Sequence, residues 1–167
     1  WDTSACADIE GTFPNLKVQI IGTYFLPFTP ELKARLIAAQ SENIAEASSL
    51  NVIVANEFSK CVLEFLKDKN LTPENIDAIG SHGQTLFHAT GPEVEIESTF
   101  QIGSPSIIAE KTGILTIGNF RVRDIAGGGR GAPLVSIADY ILFRDPNGVA
   151  PCLRGHCSPE AWDKNFF

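Results

Sequence analysis

Polar side chains interleaved with glycine mark two places where this sequence could hold a ligand. Gly80-Ser81-His82-Gly83-Gln84-Thr85 follows directly on an apolar, strand-like run. Its two glycines let the backbone come close to a bound group, and Ser, His, Gln and Thr supply donors and acceptors. In open α/β sheets ligands sit at the carboxyl ends of strands, which is where this segment falls. The same residues also suit a capped turn whose polar groups satisfy one another. The second place is Asn119-Phe120-Arg121-Val122-Arg123-Asp124, with Gly127-Gly128-Gly129-Arg130-Gly131-Ala132-Pro133-Leu134 behind it. Three arginines beside glycines suit an anion, because a guanidinium forms paired bonds to carboxylate or phosphate. The competing reading is a solvated loop with surface arginines. These glycines lack the Lys and Ser/Thr spacing of a phosphate-binding P-loop. Nor do they open a helix early in a βαβ unit, as a dinucleotide fingerprint requires. Asp124, flanked by arginines, reads as an ion-pair partner that orients them in preference to a general base.

Two further groupings carry less. Cys152-Leu153-Arg154-Gly155-His156-Cys157 gathers metal-ligating types, yet a structural zinc takes four ligands in paired spacing, and the adjacent His156 and Cys157 share a tetrahedral shell awkwardly. No metal site is expected there. His88, six residues after His82, reads as a structural histidine at a strand or loop edge.

The chain has 167 residues, 44% apolar and 20% charged, enough for one domain with a real core and too few for two full lobes. A formal net charge of -7 without a concentrated basic face argues against nucleic acid as a partner. Apolar stretches are short and broken by charge or glycine, so no bilayer-spanning segment and no membrane partner are expected. Trp1-Asp2-Thr3-Ser4 lacks the basic and apolar regions of a secretory leader. Four cysteines, Cys6, Cys61, Cys152 and Cys157, are too few and too unevenly spaced for a disulfide framework. Cys61 lies in an apolar helical pattern, which predicts a reduced, buried thiol. A cytoplasmic location is the expectation, and the absence of an initiator Met reads as the interior of a longer gene product.

The elements that must position these residues follow from periodicity and punctuation. Ala5 to Ile9 and Lys17 to Phe25 are strand-like, and Glu10-Gly11-Thr12-Phe13-Pro14-Asn15 between them predicts a hairpin. Thr29-Pro30-Glu31 starts a helix that runs to about Ala39. From Ser41 to Lys69, Ile44, Ala47, Ile53, Val54, Phe58, Cys61, Val62, Phe65 and Leu66 recur at helical spacing, with an irregularity at Ser48 to Asn51 that could split or kink the helix. Thr72-Pro73-Glu74-Asn75 predicts one short turn, Ile76 to Gly80 a strand, 91–98 a loop, and Thr99 to Gly103 another strand. Ser104-Pro105 opens a helix that Gly113 stops. Ile114 to Ile117 predicts a buried strand, Asn119 to Gly131 a polar glycine-rich loop, and Ala132 to Phe143 an amphipathic helix. Beyond Arg144 periodicity is lost. The alternation of strands and helices predicts an α/β domain with parallel strands behind an antiparallel hairpin.

In this order the pieces resemble the anhydro-N-acetylmuramic acid kinase family. The resemblance rests on Ala78-Ile79-Gly80-Ser81-His82-Gly83-Gln84-Thr85, then Phe100-Gln101-Ile102-Gly103-Ser104-Pro105 with Ala109-Glu110-Lys111-Thr112-Gly113, and then Asn119 through Val135. It is clearest over about residues 76–145 and is carried by pattern over 8–75. It implies an actin-like ATPase (ribonuclease H-like) fold, two lobes with nucleotide and sugar between them. Residues 1–148 would then be an incomplete first lobe, a mixed sheet with flanking helices, and 149–167 a disordered tail foreign to the family.

The resemblance further implies ATP and Mg2+ as cofactors and a small-molecule sugar as substrate. The reaction would open the anhydro ring of 1,6-anhydro-N-acetylmuramic acid and give N-acetylmuramate 6-phosphate, in cell-wall sugar recycling. In that reaction a carboxylate activates water against the anomeric carbon and the freed 6-oxygen attacks the γ-phosphate, with positioning and charge neutralisation dominant. His82, Gln84, Thr85, Arg121, Arg123 and Asp124 would contact the sugar, the arginines holding its lactyl carboxylate. Three family segments are missing here, the first of them except for one residue. Where the family carries Met-Ser-Gly-Thr-Ser-x-Asp-Gly, which holds ATP phosphates, only Trp1-Asp2-Thr3-Ser4-Ala5-Cys6 stands, with Asp2 as a remnant of its Asp. The later Asn-Ile-Gly-Gly and the Asp-x-Gly-Pro-Gly-Asn segment that supplies the catalytic aspartate are absent, so no catalytic residue is assigned. The chain alone is expected to be inactive and to self-associate.

Overall fold

The computed structural model describes residues 2–12, 15–39, 43–136, 138 and 139. Ten regular elements occur among them: strands β1 (Asp2–Thr12) and β2 (Asn15–Leu26), helices α1 (Pro30–Ala38) and α2 (Ile44–Asp68), strands β3 (Ile79–Gly80), β4 (Gln84–Ala89) and β5 (Ser98–Ile102), helix α3 (Pro105–Thr112), strand β6 (Thr116–Ile117) and helix α4 (Phe120–Ala126). By backbone proximity the chain falls into two units, residues 1–7 with 20–132, and residues 8–19 with 133–167.

In the first unit α2 is the spine. Asn43 caps it by accepting the Glu46 amide at 3.1 Å, and the helix begins at Ile44, the first residue of the apolar period. The expected break at Ser48 to Asn51 does not occur. The Ser49 hydroxyl donates back to the Ala45 carbonyl at 3.0 Å and stays within the helix. Asn51 turns its side chain outward instead, and its Oδ1 accepts the Gly103 amide at 2.8 Å. Gly103 has φ +97, and a Cβ there would press on Phe58 and Val54, so the end of β5 seats directly on α2. Two apolar clusters form along the helix. Leu50 and Val54 join Phe28, Leu32, Ala39, Leu86 and Ile102 in one. Phe65 and Leu66 join Ile114 in the other, with Cys6, Tyr24 and Ile79 against it. Cys61 is fully buried and forms no disulfide, as expected, and its sulfur accepts the Ser4 hydroxyl at 3.3 Å.

At the head of the core α1 is capped by Thr29, whose hydroxyl accepts the Leu32 amide, and Pro30 fills the first helical position. Arg35 of α1 donates to Glu46 of α2 at 2.8 Å, an exposed bond that holds the Glu46 carboxyl below its ordinary range. Gly113, at φ +72, ends α3 in the left-handed conformation anticipated from sequence.

The strands pair two by two: β1 with β2, β3 with β6 and β4 with β5. The β3–β6 pair is parallel, with Ile79 opposite Thr116 and Gly80 opposite Ile117. The β4–β5 pair is antiparallel, with a register shift between Thr85 and Phe87. The architecture is therefore mixed α/β, but the described residues form three two-stranded sheets and not one continuous sheet.

Several expectations need correction. The strand read as Ile76 to Gly80 is only Ile79–Gly80, because the 3-10 turn Pro73–Asn75 holds the Ile76 amide at 3.1 Å. Likewise Ile114 to Ile117 shortens to Thr116–Ile117. Gln84 and Thr85 lie not in a loop but in β4, a strand that sequence missed because its bulge breaks the alternation. The Asn119 to Gly131 loop contains α4, a seven-residue helix entered through Asn119 at φ 60, a left-handed position that Asn tolerates.

Within the second unit the described residues are the far part of the β1–β2 ribbon, Pro133 and Leu134, and helical Val135, Ser136, Ala138 and Asp139. Gly11, at φ +94, lies against the Asn15 carbonyl, which a Cβ would overlap. The remainder of the helix expected to Phe143, the tail 149–167 and the Cys152 to Cys157 grouping lie outside the described residues.

Candidate functional site

Parallel pairing of β3 and β6 places their carboxyl ends side by side. The Ser81 amide extends the ladder by donating to the Ile117 carbonyl at 2.8 Å, and the chain then leaves both strands at the same end. Gly118 is required there, since a Cβ would overlap Pro105 and crowd the Ser81 carbonyl at 3.3 Å. As a result the two polar segments singled out in the sequence meet. Arg121 donates from Nε to His82 Nε2 at 2.7 Å. Because Nε2 accepts, the ring proton sits on Nδ1 and is donated to the Gly83 carbonyl at 2.9 Å.

Arg121 also ties down the glycine loop. Its Nη1 donates to the Gly131 carbonyl at 2.5 Å, and the Gly131 amide donates to Asp124 Oδ2 at 2.7 Å. Asp124 thus caps the loop after α4 and makes no ion pair with an arginine among the described residues. Gly129 packs so closely on this carboxylate that a Cβ would overlap it, and Gly131 needs its positive φ of +69. The loop amides are spent internally: Gly127 and Gly129 donate to the Asp124 carbonyl and Gly128 to that of Ile125. A phosphate cradle needs such amides free, so this loop does not fit nucleotide phosphates.

Arg123 differs from Arg121. It is exposed on α4, and no hydrogen bond or ion pair engages its side chain among the described residues.

Beside His82, Gly83 (φ +73) leads into β4, where a Cβ would overlap the Ile102 carbonyl region and touch Gln101. Here one face of the β4–β5 ribbon is polar throughout. Gln101 Nε2 donates to Thr99 Oγ1 at 2.6 Å and, more weakly, to Thr85 Oγ1 at 3.4 Å, and His88 Nδ1 lies 3.0 Å from Thr99 Oγ1. Gln101 Oε1 is buried and has no partner among the described residues. Exchanging the two ends of the amide would leave the nitrogen in the same position, so one polar atom stays open either way. Gln84 donates to the Thr85 carbonyl at 3.3 Å. The site thus unites His82, Arg121 and Asp124 in one network and sets Thr85 in an adjoining one, with Gln84 and Arg123 outside both. Sequence reading missed Gln101 and Thr99, although their two-residue spacing places them on one face of a strand. Asp2 stands at the start of β1.

No group of three or more His, Cys, Asp or Glu side chains that could hold a metal occurs among the described residues. They do not by themselves fit a magnesium site. No helix among them is long and apolar enough to cross a membrane.

The family model for anhydro-N-acetylmuramic acid kinase matches residues 5–154. The chain belongs to the anhydro-N-acetylmuramic acid kinase family. A relative of that name from Caldanaerobacter subterraneus is 37% identical over 151 residues, covering 86% of this chain and 38% of the relative. Another from Bacillus cereus is 40% identical over 147 residues, with 86% and 38% covered. One from Gloeobacter violaceus is 40% identical over 144 residues, with 84% and 38% covered. The chain therefore spans 38% of the length of these curated relatives. Both polar segments and the β4–β5 ribbon fall within the residues matched to the family.

Proposed function

We propose that this chain is the sugar-side part of an ATP-dependent kinase acting on 1,6-anhydro-N-acetylmuramic acid, built on an incomplete lobe of the actin-like ATPase type. The observation that carries the proposal is the family match over residues 5–154, which takes in both polar segments. Residues 155–167, beyond the family match, are proposed to lie outside the working lobe, a narrower tail than the 149–167 expected from sequence.

The site chemistry supports a polar, monoanionic sugar. Exposed Arg123 has its whole guanidinium fork available for the lactyl carboxylate. Arg121 has donors committed to His82 and Gly131, so its role is to hold the two segments together. The open amide atom of Gln101 calls for a hydroxyl or acetamido group, since a buried polar atom left unpaired costs roughly 1–3 kcal/mol. His82, Gln84 and Thr85 line the neighbouring backbone, and Asp124 fixes the loop against which the sugar would rest. The phosphates of ATP and the magnesium they carry would be held by parts of the family's chain not present here, with Asp2 the one residue carried over from the phosphate loop. No step is assigned to them.

Since the catalytic Asp-x-Gly-Pro-Gly-Asn segment is absent, a second reading is a sugar-binding module without phosphoryl transfer, which the 38% coverage of the relatives favours for the chain alone. Two measurements decide. The purified chain with the anhydro sugar, ATP and magnesium is expected to release no ADP above a blank, because each missing transition-state donor commonly costs ~10² to 10³ in rate. A chimera carrying residues 5–148 in place of the matching stretch of the Bacillus cereus relative is expected to release ADP only when the sugar is present. A chimera that melts cooperatively but never turns over would overturn the kinase reading.

A further inference from the structure

Charge is distributed against the overall trend in one groove of the first unit. An open groove of about 390 Å³ is lined by Asn56, Ser59, Lys60, Leu63, Glu64 and Lys67 of α2 and by Lys111 of α3. Asn56, Lys60, Leu63 and Lys67 recur at four- and three-residue spacing and so share one helix face. Packing of α3 on α2 brings Lys111, in the last turn of α3, alongside them. Three ammonium groups therefore face one carboxylate in a chain whose formal net charge is -7.

An ordinary solvated helix face would explain the lysines if they were paired. Glu64 stands four residues after Lys60 and three before Lys67, the spacings that favour ion pairs. Yet among the described residues no carboxylate lies within 4.0 Å of Lys60, Lys67 or Lys111. Helix-end electrostatics favours Lys67 and Lys111 individually, each in a last turn, but does not gather them around one groove. The Ser59 hydroxyl is spent on the Ala55 carbonyl at 2.7 Å, which leaves the Asn56 amide as the neutral donor at the rim.

We infer that this groove binds a phosphate monoester dianion. A phosphate ester carries about −1.5 to −2 charges at neutral pH, which matches three lysines less one glutamate. Lysine recognises phosphate as a point charge without needing a fixed fork. The groove is open to solvent, so it would seat the phosphate group and leave the rest of an ester outside. The groove shares no residue with the His82–Arg121 network, so the inference stands apart from the proposed substrate site. It gives the protein a place where a phosphorylated small molecule, or free phosphate, binds away from the sugar.

The test is a 31P NMR titration of the 167-residue chain at fixed ionic strength, with inorganic phosphate in one arm and a hexose 6-phosphate in the other. Saturable binding is expected in at least one arm. Tighter binding of the ester assigns the site to organic phosphates, and equal affinity assigns it to the phosphate group alone. Lys60→Gln and Lys111→Gln should each weaken binding about tenfold. Glu64→Gln should tighten it several-fold, a gain that a folding defect cannot imitate. Absence of saturation in both arms, or affinities unchanged in all three variants, would overturn the inference.

Discussion

Thirty-nine residues separate His82 from Arg121, yet the bond between them is 2.7 Å, and it divides the labour of the two arginines on α4. One guanidinium is engaged by His82 and Gly131, and the other is engaged by no described residue. Sequence could rank neither, because both have the same chemistry and differ only in what the fold sets before them. The same holds for Asp124, expected beside an arginine and found accepting the Gly131 amide at 2.7 Å. That bond has a measurable consequence. Asp124→Ala should free the Gly131 amide and loosen the loop, with a loss of roughly 1 kcal/mol for the part-buried bond. Hydrogen exchange at Gly131 should then quicken by about fivefold. Asp124→Asn, which keeps an acceptor oxygen, should stay near the parent rate. Equal rates in all three proteins would mean that the carboxylate does not cap the loop.

Among the elements, those that announce themselves by repetition or by a dedicated stop signal were legible. Helix α2 shows its apolar stripe in the sequence, Thr29-Pro30 starts α1, and Gly113 stops α3, because each signal acts within one turn of chain. Elements defined by distant partners were not. Strand β4 exists through its register with β5, and its bulge at Leu86 hides the alternation. Helix α4 is only seven residues long and buries none of them, and it is held by Arg121 and Asp124 bonding across the loop that follows. Asn51 is the instructive case. It reads as a flaw in α2 and is the acceptor that seats Gly103. Of the candidate site, sequence offered the two segments that the structure brings together but not the bonds that join them. The weight of the structure on α2 can be measured through Leu50, fully buried in the larger apolar cluster. Leu50→Ala should destabilise the chain by about 2–5 kcal/mol, transfer and cavity together. Urea unfolding followed by circular dichroism gives the value, and a loss under ~1 kcal/mol would place the stabilising core elsewhere.

At the scale of the whole molecule, the chain offers surface that its own described residues do not cover. Strands β3 and β6 pair only with each other there, and β4 pairs only with β5, so outer edges carry backbone groups without a neighbouring strand. Such edges recruit other chains. Apolar side chains lie beside them. Ile117 is 50% exposed and stands in register with Gly80, over which the Phe120 ring packs, and Leu115 is 66% exposed one residue before β6. The cross-strand pair Phe87 and Phe100 is also about half exposed. Apolar patches of several hundred Å² are a known association hazard. A net charge of -7 acts in the opposite direction, through mutual repulsion. Repulsion, however, is screened within about 10 Å at ~0.1 M salt, while strand pairing and apolar contact act at touching distance. Exposure should therefore win, and the chain expressed alone should self-associate. Light scattering across a concentration series should give a mass that rises with concentration, and added salt should steepen the rise. Phe100→Lys would place charge on the ribbon face without entering either apolar cluster, and it should shift the curve toward monomer. A single monomeric species at every concentration and salt level, with a sharp thermal transition, would mean that these edges are closed by residues of the chain itself.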